Sequence, residues 1–184
     1  MGAGNPIVTL IVCPKSVLPH WQQEIKKFIK PDTLRVMEYI GTRKQRSKII
    51  QSLQNNHVDV LLVTYETASA EYINVVTDNR ENNLPTLYDT SFYRVVLDEA
   101  QQIRNSSTKC FKAISAIASV SHHRLALTGT PFINRPEDIH SLLSFVGLDP
   151  LADPMAFKHY ITQPIEDKRR AGLTRLRAAL AYVA

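Results

Sequence analysis

The sequence has few cysteines and no long apolar stretch, and both shortages exclude classes of protein. Among 184 residues only Cys13 and Cys110 occur, without a CxxC pair or a Cys/His cluster at zinc-ligand spacing. Each lies in an apolar segment, which predicts small core residues of a protein in a reducing compartment. No apolar run approaches the ~18 to 20 residues that cross a bilayer, and the N-terminus lacks the pattern of a secretory signal. We therefore expect a soluble, intracellular protein without a membrane partner.

The basic residues are numerous and unevenly placed. Lys and Arg number 22 against 17 Asp and Glu, which gives a net charge of +5. Residues 15–48 hold nine of the basic residues and three acids, a local +6, whereas the remainder sums to −1. A localised positive charge favours an anionic partner such as nucleic acid; the alternative is a solvated basic face with no partner.

Apolar runs of strand type alternate with segments of helical period. An alternation of strands with helices of 10 to 15 residues is typical of a parallel, doubly wound α/β sheet. We predict that Ser16 caps the first helix and that residues 78–90, rich in Asn, Asp and Glu, form a surface loop. Residues 1–147 are then the sheet domain and residues 148–184 a helical extension. The predicted strands are 7–13, 34–40, 58–65, 92–98 and 124–128, and the helices run from 16 to about 30, over 43–54, from 66, from 106 and after 136.

Two carboxylates, Asp98 and Glu99, come directly after the fourth apolar strand. Ligands of doubly wound sheets bind at the carboxyl ends of the strands. A paired acid there suits a Mg-nucleotide site, where one carboxylate holds the metal through its waters and the next acts as a base toward an attacking water. The alternative is that Asp98 only begins a turn.

Two further segments follow strands. Residues 128–131 (TGTP) combine two hydroxyls with a Gly that permits a tight backbone path, although alone they are an ordinary turn. Residues 13–16 (CPKS) offer backbone N–H groups, a hydroxyl and a Lys to a phosphate, although alone they are a helix cap. We expect Lys15, Asp98 and Thr128 to lie at one edge of the sheet.

The order and spacing of these segments resemble one family. The chain is similar to the first RecA-like lobe of SWI/SNF-type helicase-like ATPases, which are double-stranded DNA translocases. The tail is similar to the branch of the helicase-like transcription factor and its post-replication-repair relatives. The matching segments are TLIVCPKSVLPHWQQEIKKF (9–28, motif Ia), DVLLVTYETAS (59–69, motif Ib), VVLDEAQQIRN (95–105, motif II) and LALTGTPFINRPEDIHSLLSF (125–145, motif III).

The resemblance implies a three-layer P-loop NTPase fold, with ATP and Mg²⁺ as cofactors and nuclear double-stranded DNA, including nucleosomes, as partner. By the same resemblance Asp98 coordinates Mg²⁺ through water and Glu99 activates the attacking water. Gln101 stands where most members have His. The remaining implied roles are coupling of ATP to DNA by Gln101, Thr128, Gly129 and Thr130, and phosphate-backbone contact by Lys15, Ser16, Arg43, Thr64 and Tyr65. Trp21 is expected to pack its helix against the sheet, since it shares a stripe with Val17 and Ile25.

Two elements of the family pattern are absent from the printed sequence. It contains neither a G-x-x-x-x-G-K-[ST] loop nor a second lobe. We expect an incomplete lobe whose sheet is exposed on the flank beside the motif II and motif III strands. Two functions stay open: part of the ATPase motor of a DNA translocase in chromatin remodelling or DNA repair, or a non-catalytic DNA-binding or interaction module that has lost ATP binding.

Overall fold

The computed structural model describes residues 7–53, 58–77, 84–129 and 136–183. Five strands form one sheet in the order β2-β3-β1-β4-β5, and every neighbouring pair is parallel. β1 lies in the middle because its side chains are apolar on both faces, as strands covered by helices on both sides require. The predicted parallel α/β sheet is confirmed. The strands are β1 (Thr9–Cys13), β2 (Val36–Glu38), β3 (Val60–Thr64), β4 (Arg94–Leu97) and β5 (His123–Ala126).

Helices cover both faces of the sheet. Alternate residues of β1 point to opposite sides: Leu10 and Val12 join a large core with α2 to α5, whereas Ile11 and Cys13 join a smaller core under α1. These two cores make the three layers predicted from the resemblance. The helices are α1 (Leu18–Phe28), α2 (Arg43–Leu53), α3 (Tyr65–Val76), α4 (Lys109–Ala118), α5 (Pro136–Val146), α6 (Pro154–Phe157), α7 (Gln163–Glu166) and α8 (Arg170–Val183), with a π-helical turn over Lys158–Thr162.

Two local predictions were wrong. The N-cap of α1 is Val17 and makes no side-chain hydrogen bond, so Ser16 does not cap the helix. A Pro in the first turn fixes its φ in the helical range and replaces the cap as the start signal. The predicted surface loop also contains a 3₁₀ helix (Leu87–Asp89), which Thr86 and Asp89 cap reciprocally and whose Leu87 is fully buried.

The C-terminal helices pack against α5. Ile139 and Leu143 of α5 form a third core with Phe157, Ile161 and Leu176. The helical extension predicted after residue 147 is confirmed, whereas a domain boundary there stays a prediction. No helix in the described part of the chain is long and apolar enough to span a membrane.

β5 ends the sheet on the side that we expected to be exposed. Within the described residues it pairs only with β4, and its Leu125 is 47% exposed, followed by Leu127 at 37%. An open groove of about 870 Å³ runs between β5, α5 and the end of α8. The expected exposure of this flank is confirmed.

Candidate functional site

All five strands end at the same side of the sheet, here called the carboxyl edge. The register pairs Cys13 with Thr64 and Leu97 with Ala126, so the residues that follow these strands emerge close together. Lys15 comes after β1, Asp98 after β4 and Thr128 after β5. The prediction that these three residues share one edge is confirmed.

Asp98 is held by three neighbours. Its Oδ1 accepts the backbone N–H of Glu99 at 2.9 Å, and its Oδ2 accepts the indole Nε1–H of Trp21 at 2.7 Å. Its carbonyl oxygen accepts the hydroxyl of Tyr65 at 2.9 Å. A carboxylate offers about four lone-pair positions. Both carboxylate oxygens therefore keep acceptor capacity for water or a metal-bound water.

Glu99 has a left-handed backbone, with φ 50° and ψ 51°, and begins a 3₁₀ helix (Ala100–Ile103). This conformation is unusual for a residue with a Cβ and costs of order 1 kcal/mol or more, so it marks a place where the fold imposes local geometry. The Glu99 side chain is half-buried, and its Oε2 accepts the Nε2–H of Gln101 at 2.6 Å.

Gln101 connects Glu99 with the end of β5. While its amide nitrogen donates to Glu99, its Oε1 accepts the hydroxyl of Thr128 at 2.9 Å. Because an amide carries a donor and an acceptor on one rigid plane, it bridges a carboxylate and a hydroxyl without a change of protonation. The structure thus brings three of the predicted site residues into one hydrogen-bonded chain.

The remaining residues of the motif III prediction are less informative. Gly129 is exposed, and a Cβ built on it meets nothing within 4 Å, so the space around it does not require glycine, and its coupling role stays a prediction. Thr130 lies outside the described residues.

The predicted DNA-contacting residues fall into two groups. Lys15 and Ser16 are exposed in the turn between β1 and α1, and Arg43 is the first residue of α2, which follows β2. Thr64 and Tyr65 are buried, at 8% and 4% exposure. The Thr64 hydroxyl caps α3 by accepting the N–H of Thr67, and Tyr65 bonds to Asp98. Phosphate contact by this second group stays a prediction, and their hydrogen bonds give them an internal role.

Burial sets the protonation of two groups behind the carboxyl edge. Burial, together with the smaller effect of the Asp98 charge, raises the pKa of the Cys13 thiol to about 11. Burial likewise raises the pKa of Tyr65 well above its usual value. Both groups are therefore neutral at physiological pH, and Tyr65 stays a hydrogen-bond donor to Asp98.

The described residues contain no group of three His, Cys, Asp or Glu side chains that would hold a metal ion. A divalent cation at this edge would rest on the Asp98 carboxylate with water and other ligands. Mg²⁺ characteristically keeps several waters and binds through one or two carboxylates, so Asp98 fits that role.

The family model for the SNF2-related domain matches residues 3–183. The chain belongs to the SNF2-related family. DNA repair protein rad5 of Neurospora crassa is 34% identical to it over 167 residues, 89% of this chain and 13% of that protein. DNA repair protein RAD5B of Arabidopsis thaliana is 35% identical over 173 residues, 94% of this chain and 12% of that protein. This SNF2-related chain thus spans about an eighth of these relatives, whose names confirm the repair branch predicted from the tail.

The SNF2-related fold is also similar to a solved structure. The Sulfolobus solfataricus SWI2/SNF2 ATPase core in complex with dsDNA superposes with a TM-score of 0.73 at 30% identity, covering 98% of this chain and 33% of that one. The RecA-like lobe expected from the resemblance is confirmed.

One contact of the SNF2-related site was missed by sequence reasoning. The apolar stripe of α1 correctly predicts that Trp21 packs on the smaller core, but not that its indole N–H reaches Asp98. The sequence does contain a clue to this contact. A partly buried Trp N–H needs a hydrogen-bond acceptor, and the carboxyl edge supplies one.

Proposed function

We propose that this chain is part of the ATPase motor of an ATP-dependent double-stranded DNA translocase acting in DNA repair. The observation that carries the proposal is the carboxyl edge itself. There, the acidic pair after β4 is hydrogen-bonded through Gln101 to the end of β5, on the same side of the sheet as the exposed Lys15 turn. Nucleotide chemistry and DNA grip therefore have adjoining sites on one rigid scaffold.

In this proposal Asp98 would hold Mg²⁺ through water and Glu99 would activate the attacking water. The ion would neutralise charge on the phosphates of ATP. Glu99 has a left-handed backbone, and its carboxylate accepts the Gln101 amide N–H. Gln101, Thr128, Gly129 and Thr130 would then couple the state of the nucleotide to the grip on DNA.

The DNA-contacting surface in the proposal begins with Lys15 and Ser16. A translocase must grip every sequence it passes, so its contacts go to phosphates, which carry no base information. Exposed Lys side chains and hydroxyls suit that contact, and Arg43 extends the surface toward β2. The proposal also includes phosphate contact by Thr64 and Tyr65, which lie at the end of β3 on the same edge.

The wider setting follows from the same proposal. Repair of chromosomal DNA implies the nucleus, with nucleosomal DNA and chromatin remodelling as further substrates of the same motor. Residues 1–147 would form the lobe and residues 148–184 the path toward a second lobe. The alternative, a non-catalytic module, is not favoured, because such a module has no chemical reason to keep both Asp98 and Glu99 at a strand end.

DNA binding by this chain tests the proposal. We expect weak, sequence-independent affinity for duplex DNA, with a Kd of about 10⁻⁴ to 10⁻⁶ M and a log–log salt slope near −3 if about three phosphates are neutralised. Lys15→Ala should weaken binding equally on different sequences and reduce the slope by about one. Fluorescence anisotropy with two unrelated duplexes at several salt concentrations measures both quantities.

The control is Lys168→Ala, an exposed Lys in the C-terminal extension that follows none of the strand ends. It should alter neither affinity nor slope. Strong dependence on base sequence, or identical effects of the two substitutions, would contradict the proposed phosphate grip.

Nucleotide binding by the same chain should be weak, because the printed sequence has no phosphate-binding glycine loop. At an affinity of about 1 mM, 1 mM Mg-ATP adds only ~0.4 kcal/mol of stability. The melting temperature should then rise by roughly 1 to 2 °C. A much larger rise in a thermal-shift titration, lost in Asp98→Ala, would reveal a phosphate site that this assignment lacks.

A further inference from the structure

Trp21 joins two parts of the carboxyl edge that the proposed function treats separately. It lies in the second turn of α1, five positions after Ser16, while its indole nitrogen is 2.7 Å from Asp98 Oδ2. The two residues are 77 positions apart in sequence. The contact is therefore tertiary and connects the turn that carries Lys15 with the carboxylate proposed to hold Mg²⁺.

The geometry favours an orienting role for this contact. An indole N–H is a donor only, and a bond to a carboxylate is shorter and stronger than one between neutral groups. The backbone N–H of Glu99 fixes the other oxygen from within β4's own turn. Each carboxylate oxygen thus accepts one N–H, and the two donors together fix the plane of the carboxylate. One donor is the next residue in the chain, and the other lies on a separate helix.

The body of the indole is itself fixed. Its ring packs against the smaller core together with Val17, beside the buried Leu18 and Cys13. A ring held in this way transmits a displacement of α1 to its N–H instead of absorbing it in a rotamer change. A shift of the Lys15 turn is therefore expected to reach Asp98 through Trp21.

We infer that Trp21 is a positioning residue, which orients the Asp98 carboxylate and couples it to the Lys15–Ser16 turn. This inference rests on the proposed function, which assigns the Lys15–Ser16 turn to DNA and the Asp98 carboxylate to Mg²⁺. The hydrogen bond and its coupling can nevertheless be measured without ATP hydrolysis.

Trp21 is the sole Trp of the sequence, so a ¹⁵N–¹H spectrum of the 184-residue chain contains a single indole signal. We expect Asp98→Ala to shift this signal and to speed its exchange with solvent about tenfold, as loss of a bond to a charged acceptor implies. Glu99→Ala removes the neighbouring carboxylate, which bonds to Gln101 instead, and should leave the indole signal in place. Equal effects of the two variants would overturn the assignment.

The reverse substitution reports on Asp98 and serves if Asp98→Ala does not fold. Trp21→Phe keeps an aromatic ring in the smaller core but removes the N–H. The NMR scalar couplings across the χ1 bond of Asp98 should then change from values typical of one rotamer to values averaged over several. Val17→Ala trims the same core without touching Asp98 and is the control. Couplings that stay those of one rotamer in Trp21→Phe would contradict a positioning role.

Adding duplex DNA separates this inference from the proposed function. If both are correct, DNA shifts the indole signal of the wild-type chain, and Lys15→Ala reduces the shift. DNA that binds by anisotropy yet leaves the indole signal unmoved would overturn the coupling while the proposed function stands. Absence of DNA binding would instead refute the proposed function, and the exchange measurement would still decide whether the Trp21–Asp98 bond exists.

Discussion

At the scale of single residues, Glu99 has a backbone conformation that lowers stability and a side chain that the proposed chemistry requires. A Cβ in the left-handed region clashes with the neighbouring carbonyl oxygen, and Gly avoids that cost. We expect Glu99→Gly to raise the unfolding free energy by about 1 kcal/mol and the melting temperature by roughly 2 to 4 °C. Thermal unfolding measures the change.

The matched variant is Glu99→Ala, which also removes the carboxylate and its bond to Gln101 but keeps the Cβ at φ 50°. The difference between the two variants isolates the backbone term. If the Ala variant is as stable as the Gly variant, the left-handed conformation stores no strain.

Sequence reasoning at this scale found the acids and missed what orients them. Asp98 and Glu99 follow an apolar strand, and that position alone predicts the edge on which they lie. Trp21 is different, because helical periodicity records which face of α1 is buried but not which atom lies opposite the indole nitrogen. A contact across 77 positions depends on the tertiary arrangement of α1 and β4, which local pattern does not contain.

At the scale of elements, a buried carboxylate connects α2, α3 and the 3₁₀ helix. Glu71 is 5% exposed and accepts the Tyr39 hydroxyl at 2.8 Å and the Leu87 N–H at 3.0 Å. Arg46 of α2 forms an ion pair with it at 3.3 Å. Desolvation beside this carboxylate raises the pKa of Tyr39 well above its usual range, so the phenol remains a donor.

Removing this acceptor should be costly. Glu71→Ala leaves a buried hydroxyl, a backbone N–H and a largely buried guanidinium without their partner, and we expect a loss of about 3 kcal/mol. The melting temperature should fall by roughly 6 to 12 °C. Glu66→Ala, an exposed acid on the same helix, should change it by no more than about 2 °C. Similar losses from both would mean that the network contributes nothing beyond helix propensity.

The elements show where sequence periodicity succeeds and where it fails. Strands and long helices were predicted because apolar runs and stripes record burial over many residues. The 3₁₀ helix at Leu87 was not, since three residues carry no periodicity, and the polar composition around them is that of a loop. Its burial arises from Glu71 and Tyr88, which anchor the segment to α3.

At the scale of the whole molecule, the outer edge of β5 is the least protected part of the sheet. In the described chain it has free strand positions beside an apolar groove and an exposed Leu125. Open edges of this kind pair with other chains. We expect concentration-dependent self-association of the 184-residue chain, reduced by Leu125→Lys, in sedimentation velocity experiments.

Leu173→Lys is the control, because Leu173 is 50% exposed on α8, a helix that offers no strand edge. If it reduces association as much as Leu125→Lys does, general surface hydrophobicity rather than the β5 edge is responsible. The family resemblance predicted this exposed flank correctly. The family's glycine loop does not occur in the printed sequence, and that absence implied a missing neighbour beside β4 and β5.

The strand order also sets a condition on biosynthesis. β1 precedes the other four described strands in the chain and so leaves the ribosome before them, yet it occupies the centre of the sheet between β3 and β4. The backbone groups on one side of β1 stay unpaired until Val60–Thr64 has been synthesised. Those on the other side stay unpaired until Arg94–Leu97 has been synthesised. A nascent chain that ends before Leu97 leaves β1 unpaired on at least one side, so the sheet around β1 closes only after translation has passed β4.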